Sequence, residues 1–232
     1  LVPDRVPAAG EGGNTLAIFG AERPDGDRFV FYELVVGTWG ATPLGDGNDG
    51  LTNPASLAAN IPVEVAESEF PILVERYGLV PDSGGPGRHR GGLAIERAWR
   101  CLTPDTSLIV RSDRATHPPY GLAGGLPGAP SANRLVRPDG SEETLPSMFS
   151  TTIQEGSVYV HRIAGGGGLG DPLERDPGLV ARDVVDGKVS VSAAALDYGV
   201  VVDAQGTVDH GATEAQRAER GRDGGRRART RS

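Results

Sequence analysis

The first residues suited to acid–base chemistry are two glutamates that follow Pro62. If this segment is helical, the i, i+3 spacing of Glu64 and Glu67 places both carboxylates on one face. Carboxylates held close together raise the pKa of one of the pair, which makes that group a candidate general base. The simpler interpretation is an acidic first turn that complements the helix dipole. The sequence leaves both interpretations open.

A second group of reactive side chains lies in the segment RSDRATHPPYG. Asp113, Arg114 and His117 come in quick succession before two prolines that restrict the backbone. His117 is the titratable residue best placed to line a pocket, although a lone histidine in a loop is more often a hydrogen-bonded structural residue. We therefore predict five catalytic contributors: Glu64, Glu67, Asp113, Arg114 and His117.

The glycine-rich loop from Pro81 to Gly92 carries the basic residues Arg88, His89 and Arg90. Glycine permits close approach to another surface, and a pair of arginines can bind a carboxylate or a phosphate. Arg88 and Arg90 are therefore predicted to bind substrate or phosphate. The alternative is a wide hairpin with a solvated basic tip.

Signatures of several self-sufficient active sites are absent from the sequence. There is no GxxxxGK[ST], GxSxG or HExxH motif, and the four histidines are scattered rather than spaced as metal ligands. Gly165, Gly167 and Gly170 match GxGxxG, but Asp171 and Pro172 follow where a dinucleotide site needs a long helix. We interpret this segment as a close-packed turn, and we predict no metal site.

Alternation of apolar and polar residues predicts roughly nine short strands. They are expected at residues 15–20, 28–37, 72–80, 93–102, 107–111, 133–137, 142–145, 157–163 and 200–203. Two short helices are predicted near the C-terminus, one capped by Asp176 and the other running from Ser192 to Tyr198. The predicted fold class is α+β: a single β-rich domain of short, mostly antiparallel strands with two short C-terminal helices.

The composition is that of a globular protein rich in turns. Of the 232 residues 38% are hydrophobic and 23% charged, and there are 35 glycines and 18 prolines. The single cysteine, Cys101, excludes an internal disulfide, and neither a signal peptide nor an apolar run of ~20 residues is present. A soluble, cytoplasmic protein is expected. Because the first residue is Leu and the sole methionine is Met148, we expect a fragment, a processed piece or an unusual start.

Charge is distributed unevenly along the chain. Residues 211–232 hold seven arginines and three acidic residues, whereas the whole chain has a net charge of −8. An acidic body of this kind does not favour nucleic acid as a partner. The sequence predicts a domain over residues 1–205 and a basic, disordered tail over residues 206–232.

Three long blocks carry a resemblance to a known family. They are PVEVAESEFPILVERYGLVPDSGGPGRHRGGLAIER, RSDRATHPPYGLAGGLPGAPSANRLVRPDGSEETLPS and AGGGGLGDPLERDPGLVARDVVDGKVSVSAAALDYGVVVD. These blocks resemble B-type subunits of the hydantoinase and 5-oxoprolinase family, which also supplies subunits of acetone and acetophenone carboxylases. Family B subunits are more than twice as long, and residues 1–205 resemble their C-terminal part only.

The resemblance implies part of an ATP-dependent cyclic-amide hydrolase. In this family phosphorylation of an amide oxygen precedes ring hydrolysis, and an A-type subunit handles the nucleotide. The metal-bearing segment of B subunits lies upstream of the matched part. ATP and a divalent metal are therefore expected in the full assembly and not on this chain alone.

The implied partners are the A-type subunit and the missing N-terminal half of the B subunit, in a hetero-oligomer without nucleic acid or membrane. The chain is expected to be inactive without them. Two alternatives remain: a subunit of an ATP-dependent ketone carboxylase, or a non-catalytic assembly module.

Overall fold

The computed structural model describes residues 5–23, 25–52 and 58–229, with side chains described as far as residue 220. Within these ranges the chain forms nine strands and four α-helices, which confirms the α+β class. The strands are β1 (Thr15–Glu22), β2 (Arg28–Val35), β3 (Ile72–Leu79), β4 (Ile95–Cys101), β5 (Thr106–Arg111), β6 (Ala132–Val136), β7 (Glu142–Leu145), β8 (Met148–Ile153) and β9 (Val158–Arg162). The helices are α1 (Val63–Glu69), α2 (Pro177–Val185), α3 (Val191–Tyr198) and α4 (His210–Arg229), with a 3-10 turn at Pro172–Glu174.

Two antiparallel sheets enclose the main hydrophobic core. The first has the strand order β2-β1-β5-β8 and the second β3-β4-β9-β6-β7. Phe19 of the first sheet lies 5.9 Å from Trp99 and 6.1 Å from Tyr159 of the second, measured between ring centroids. Because the inner faces of both sheets supply apolar side chains at alternate positions, the two sheets pack as a sandwich.

The predicted central hairpin is confirmed, but its tip is not solvated. Strands β3 and β4 pair antiparallel from Ile72 with Cys101 to Leu79 with Ile95. The connecting loop folds back onto the molecule, so that Ser83 and Arg90 are buried. Its glycines allow the backbone to pack against other backbone segments, which the hairpin interpretation did not anticipate.

The segment Gly165–Gly168 is the centre of that backbone packing. Its successive N–H groups donate outward to four carbonyls in three different segments, those of Ala129, Gly92, Ala9 and Leu126, over 2.8–2.9 Å. A Cβ on Gly165 would lie 1.8 Å from the Ser83 carbonyl oxygen, and a Cβ on Gly166 would lie 2.1 Å from that of Trp39. The close packing predicted for this GxGxxG match agrees with the burial of residues 165–169, although residues 165–168 form no turn and Gly170 is half-buried.

Two strand predictions were wrong. Strand β8 was missed, because it is an edge strand in which Ser150, Thr151 and Thr152 interrupt the alternation of apolar and polar residues. Residues 200–203 were predicted as a strand, but Val202 makes only an isolated bridge with Val208. The apolar side chains of this segment pack against α2 and α3 instead of against a sheet.

The two predicted C-terminal helices are present with their predicted end signals. The Asp176 side chain accepts a hydrogen bond from the Gly178 N–H at 2.7 Å, and Pro177 occupies the first turn of α2. Helix α3 ends at Gly199, which has a φ of 62°. This left-handed conformation closes a helix at little cost only for glycine.

The sequence predicts a disordered tail over residues 206–232, whereas the structure forms helix α4 within that segment. Thr213 is buried, and Arg217 donates to the carbonyl oxygens of Tyr198 and Arg175. Arg220 donates to Ala195 and Leu196 at the end of α3, where cations complement the helix dipole. The arginines were interpreted from composition alone as solvated charges, whereas these two satisfy exposed helix carbonyls. Within the described ranges, no helix combines the length and apolar composition that crossing a bilayer requires.

We predict that Gly166→Ala strongly destabilises the folded state. The added methyl group would lie 2.1 Å from a backbone oxygen that cannot move without breaking the surrounding hydrogen bonds. The expected loss is on the order of 4 kcal/mol in the free energy of unfolding, measured by chemical denaturation. Gly78→Ala is the matched control, since a Cβ at Gly78 meets open space. Equal stability of the two variants would contradict the packing described.

Candidate functional site

Arg90, a predicted phosphate ligand, lies instead in a buried network of charges. Its guanidinium donates to the Gly91 carbonyl at 2.6 Å and lies 3.4 Å from Asp183 and 3.6 Å from Asp49. Arg175 binds both carboxylate oxygens of Asp46 at 2.6 and 2.7 Å, and it also contacts Asp183 at 2.8 Å. The network joins the loop before β4 to α2.

The same network holds Asp46 in its charged form. Burial opposes ionisation, but hydrogen bonding and attraction from Arg175, with help from Arg90, keep the pKa of Asp46 below its ordinary value. Arg88 differs from Arg90 because its side chain is exposed. The structure therefore leaves Arg88 accessible to a ligand, while the donors of Arg90 face carboxylates and a carbonyl within the protein.

Asp113, Arg114 and His117 line one cavity of about 390 Å³. The Asp113 carboxylate accepts a hydrogen bond from the Gly13 N–H at 3.0 Å, which ties the loop after β5 to the N-terminal segment. Arg114 has a φ of 66°, an uncommon backbone conformation for a side-chain-bearing residue. The structure thus brings together three of the five predicted catalytic residues in one cavity, which Ser112 and Met148 also line.

Glu64 and Glu67 are not part of that cavity. Both are exposed on α1, and Glu64 lies in its first turn. The Glu67 carboxylate accepts a hydrogen bond from the Val74 N–H at 2.8 Å, which fastens the helix to β3. Their catalytic role stays a prediction. In the structure Glu64 places negative charge at the start of α1, and Glu67 holds α1 against β3.

A second cavity of about 290 Å³ adjoins the first and was not anticipated from the sequence. Arg114 and Gly12 line both cavities, and Glu11 and Trp39 line only the second. The Glu11 side chain is 6% exposed, and its Oε2 accepts a hydrogen bond from the Gly37 N–H at 3.0 Å. A single acidic residue among the glycines of GEGG is the only signal that the sequence offers.

Burial raises the pKa of Glu11 to about 7, and the hydrogen bond from Gly37 opposes that shift only in part. Near neutral pH the carboxyl group therefore exists in both charged and neutral forms. Such a group can donate or accept a proton, which is the property of a general acid or base.

The described residues do not fit a metal ion. Among them, no three His, Cys, Asp or Glu side chains are grouped in a way that could hold one. We therefore derive no chemical step through a metal held by these residues.

Comparison with known proteins places this architecture in a family. The family model described as hydantoinase B/oxoprolinase matches residues 1–172. The chain belongs to this family. The resemblance inferred from the sequence is thereby confirmed.

Relatives of known activity match most of the chain but only part of their own length. The caprolactamase subunit beta of Pseudomonas jessenii is 33% identical over 225 residues, which are 93% of this chain and 39% of that subunit. In the crystal structure of the ATP-dependent caprolactamase from the same organism, the match has a TM-score of 0.80 and 31% identity and covers 93% of this chain and 39% of that one.

A nucleotide-free acetone carboxylase structure shares the fold, with a TM-score of 0.78 and 23% identity over 90% of this chain and 33% of that one. The chain therefore spans between a third and two fifths of the length of these hydantoinase B relatives.

We predict that stability falls with rising pH through the titration of Glu11. The pKa of Glu11 is about 7 in the folded state against 4.5 in the unfolded chain, so the folded state binds the extra proton between these values. The free energy of unfolding should fall by roughly 3 kcal/mol from this group as pH rises from about 4.5 to 7 and then level off. Denaturation of the wild type and of Glu11→Gln across this range measures the effect. Glu155→Gln, at an exposed site, is the control and should keep the wild-type slope.

We predict that replacing Arg90 by alanine lowers stability strongly, whereas replacing Arg88 by alanine changes it little. Arg90→Ala removes one of the two cations that contact buried Asp183 and half-buried Asp49, which keep Arg175 and Lys188. It should therefore cost about 3 kcal/mol in the free energy of unfolding. Arg88→Ala removes an exposed side chain and should change stability by about 0.5 kcal/mol or less. Thermal and chemical unfolding of both variants provide the measurement. A stable Arg90→Ala variant would restore Arg90 as a candidate ligand for phosphate.

Proposed function

We propose that this chain is part of the B-type subunit of an ATP-dependent cyclic-amide hydrolase. The observation that carries the proposal is the similarity to the caprolactamase subunit beta, which extends over 93% of the chain. The fold agrees, with a TM-score of 0.80 to the ATP-dependent caprolactamase structure.

The chemistry proposed is activation of an unreactive amide by phosphorylation. The carbon of an amide is a poor electrophile, and transfer of the terminal phosphoryl group of ATP to the amide oxygen activates that carbon. Water adds to it, the ring C–N bond breaks as the nitrogen takes up a proton, and the acyl phosphate that forms releases phosphate to a second water. Asp113, Arg114 and His117 are proposed to face the substrate, because they share one cavity. Arg114 supplies positive charge for an oxyanion, and His117 is available for proton transfer.

Partners are part of the proposal. The A-type subunit is proposed to bind ATP, and the remaining part of the B subunit is proposed to hold the divalent metal. Support comes from length, since the chain spans 39% of the caprolactamase subunit beta. On this proposal the chain has no turnover by itself.

In the alternative, a ketone carboxylase, ATP phosphorylates the enol oxygen of a ketone. The α-carbon of that enol phosphate then attacks carbon dioxide and phosphate is released, whereas in the hydrolase water attacks the activated amide carbon. The shared fold with acetone carboxylase favours this alternative as a branch of the same chemistry. Dependence on bicarbonate separates the two branches.

A non-catalytic assembly module is the second candidate. The outer face of the first sheet exposes Val30, Tyr32 and Ile109 by 65%, 49% and 44%. Ile18 pairs directly with both Tyr32 and Ile109, so these side chains are contiguous. Adjacent apolar side chains on an outer sheet face favour contact with another protein surface.

We predict that the chain restores substrate-dependent ATP hydrolysis when it is assembled with its A-type subunit and the rest of the B subunit. Release of phosphate would be measured with ε-caprolactam, hydantoin and 5-oxoproline, and separately with acetone plus bicarbonate. Phosphate release with a cyclic amide, accompanied by the ring-opened product, supports the hydrolase. Turnover only with acetone and bicarbonate assigns the carboxylase branch. An assembled complex that is inactive with every substrate favours the assembly module.

A further inference from the structure

The cavity of Glu11 carries an inference about how a substrate is recognised. The Glu11 carboxyl group is almost fully buried, and among the described residues it forms no salt bridge. Trp39, Pro7 and Ala8 supply apolar walls around it. At about 290 Å³ the cavity lies at the small end of ligand sites, which suits a single ring better than a nucleotide.

The hydrogen bond from Gly37 determines which oxygen of Glu11 can carry a proton. Because Oε2 accepts from the Gly37 N–H at 3.0 Å, the neutral acid keeps its proton on Oε1. Oε2 retains a second lone pair. The neutral side chain therefore presents one donor and one acceptor along the same edge.

A cyclic amide is the complement of that edge. In a small lactam the ring holds the amide cis, so that the N–H and the C=O point to the same side. Open-chain amides are overwhelmingly trans, and their N–H and C=O point in opposite directions. A neutral carboxyl group can thus form two parallel hydrogen bonds with a lactam, but only one with a trans amide.

We propose that Glu11, in its neutral form, binds the cis-amide edge of a small lactam or related cyclic amide in this cavity. Glu11 Oε1–H donates to the amide oxygen, and the amide N–H donates to Oε2. This inference rests on the proposed function for the choice of cyclic amides as substrates. It adds a specificity-determining residue and a reason for preferring rings to open chains.

The charged groups around Glu11 are few. Arg114 is the other titratable residue that lines the cavity, and Asp113 lies nearby through its hydrogen bond with Gly13. The other described residues that line the cavity are Pro7, Ala8, Gly10, Gly12, Thr38, Trp39 and Gly40, whose side chains do not titrate near neutral pH. Glu11 is therefore the group whose protonation is expected to govern ligand binding in this range.

Trp39 provides a direct readout of binding that does not depend on activity. The chain has two tryptophans, and Trp99 is fully buried in the sheet sandwich while Trp39 lines the cavity. Titration of the 232-residue chain with ε-caprolactam at pH 6 should give a saturable fluorescence change. N-methylcaprolactam lacks the N–H, and N-methylacetamide is trans, so each should bind at least tenfold more weakly.

Variants of Glu11 separate hydrogen bonding from charge. Glu11→Gln keeps a donor and an acceptor on one edge, so its affinity at pH 6 should stay within about threefold of the wild type. Glu11→Ala should weaken binding at least tenfold. The wild type should lose about tenfold in affinity between pH 6 and 8, whereas Glu11→Gln should show no such loss. Glu155→Gln serves as the control and should behave as the wild type.

Several results would overturn the inference. They are the absence of saturable binding, equal affinity for ε-caprolactam and its N-methyl derivative, a flat pH profile for the wild type, or unchanged binding by a folded Glu11→Ala variant. Different outcomes test the proposed function. Glu11-dependent lactam binding without ATP turnover in the assembled complex would reject the hydrolase and keep the binding site. Turnover of cyclic amides that Glu11→Ala leaves unchanged would reject the Glu11 binding site and keep the hydrolase.

Discussion

Direct packing of backbone against backbone, with no side chain in between, is the constraint on which the rest of this structure depends. Gly165–Gly168 donates hydrogen bonds to three separate segments, and there is no room between these backbone segments for a β-carbon. Buried peptide groups must find partners, and here they find them without a regular sheet. Each glycine loses more conformational entropy on folding than another residue would, so the arrangement is stabilised by being fully hydrogen-bonded.

This glycine-packed layer also positions the candidate site. Ala9 accepts from Gly167, and Trp39 accepts from Gly92, so the two walls of the Glu11 cavity are fastened to the same central segment. On the other side, the Arg90 and Arg175 network ties the layer to the C-terminal helices through Asp46 and Asp183. The cavity therefore lies on a hydrogen-bonded support, and the loop that carries His117 is exposed.

Residue types that do chemistry were recognised from the sequence more reliably than their surroundings. Asp113, Arg114 and His117 are neighbours in the chain and remain neighbours in one cavity, because a short loop keeps them together. Glu11 and Arg114 line one cavity although about a hundred residues separate them, a span also bridged by the hydrogen bond from Gly13 to Asp113. For Arg90, basic character predicted a ligand for substrate or phosphate, which stays a prediction, but burial beside Asp49 and Asp183 could not be read from the sequence.

The sequence by itself determined the elements whose signals are local. Alternation specified most strands, Asp176 and Gly199 specified helix ends, and long motifs specified the family, because each depends on residues close together in the chain. Tertiary structure alone decided which residues are buried beside one another. It placed the glycine loop inside the molecule, turned Arg217 and Arg220 into caps for α3, and raised the pKa of Glu11 to about 7. Burial and long-range pairing depend on the folded arrangement of distant segments, and no local pattern encodes them.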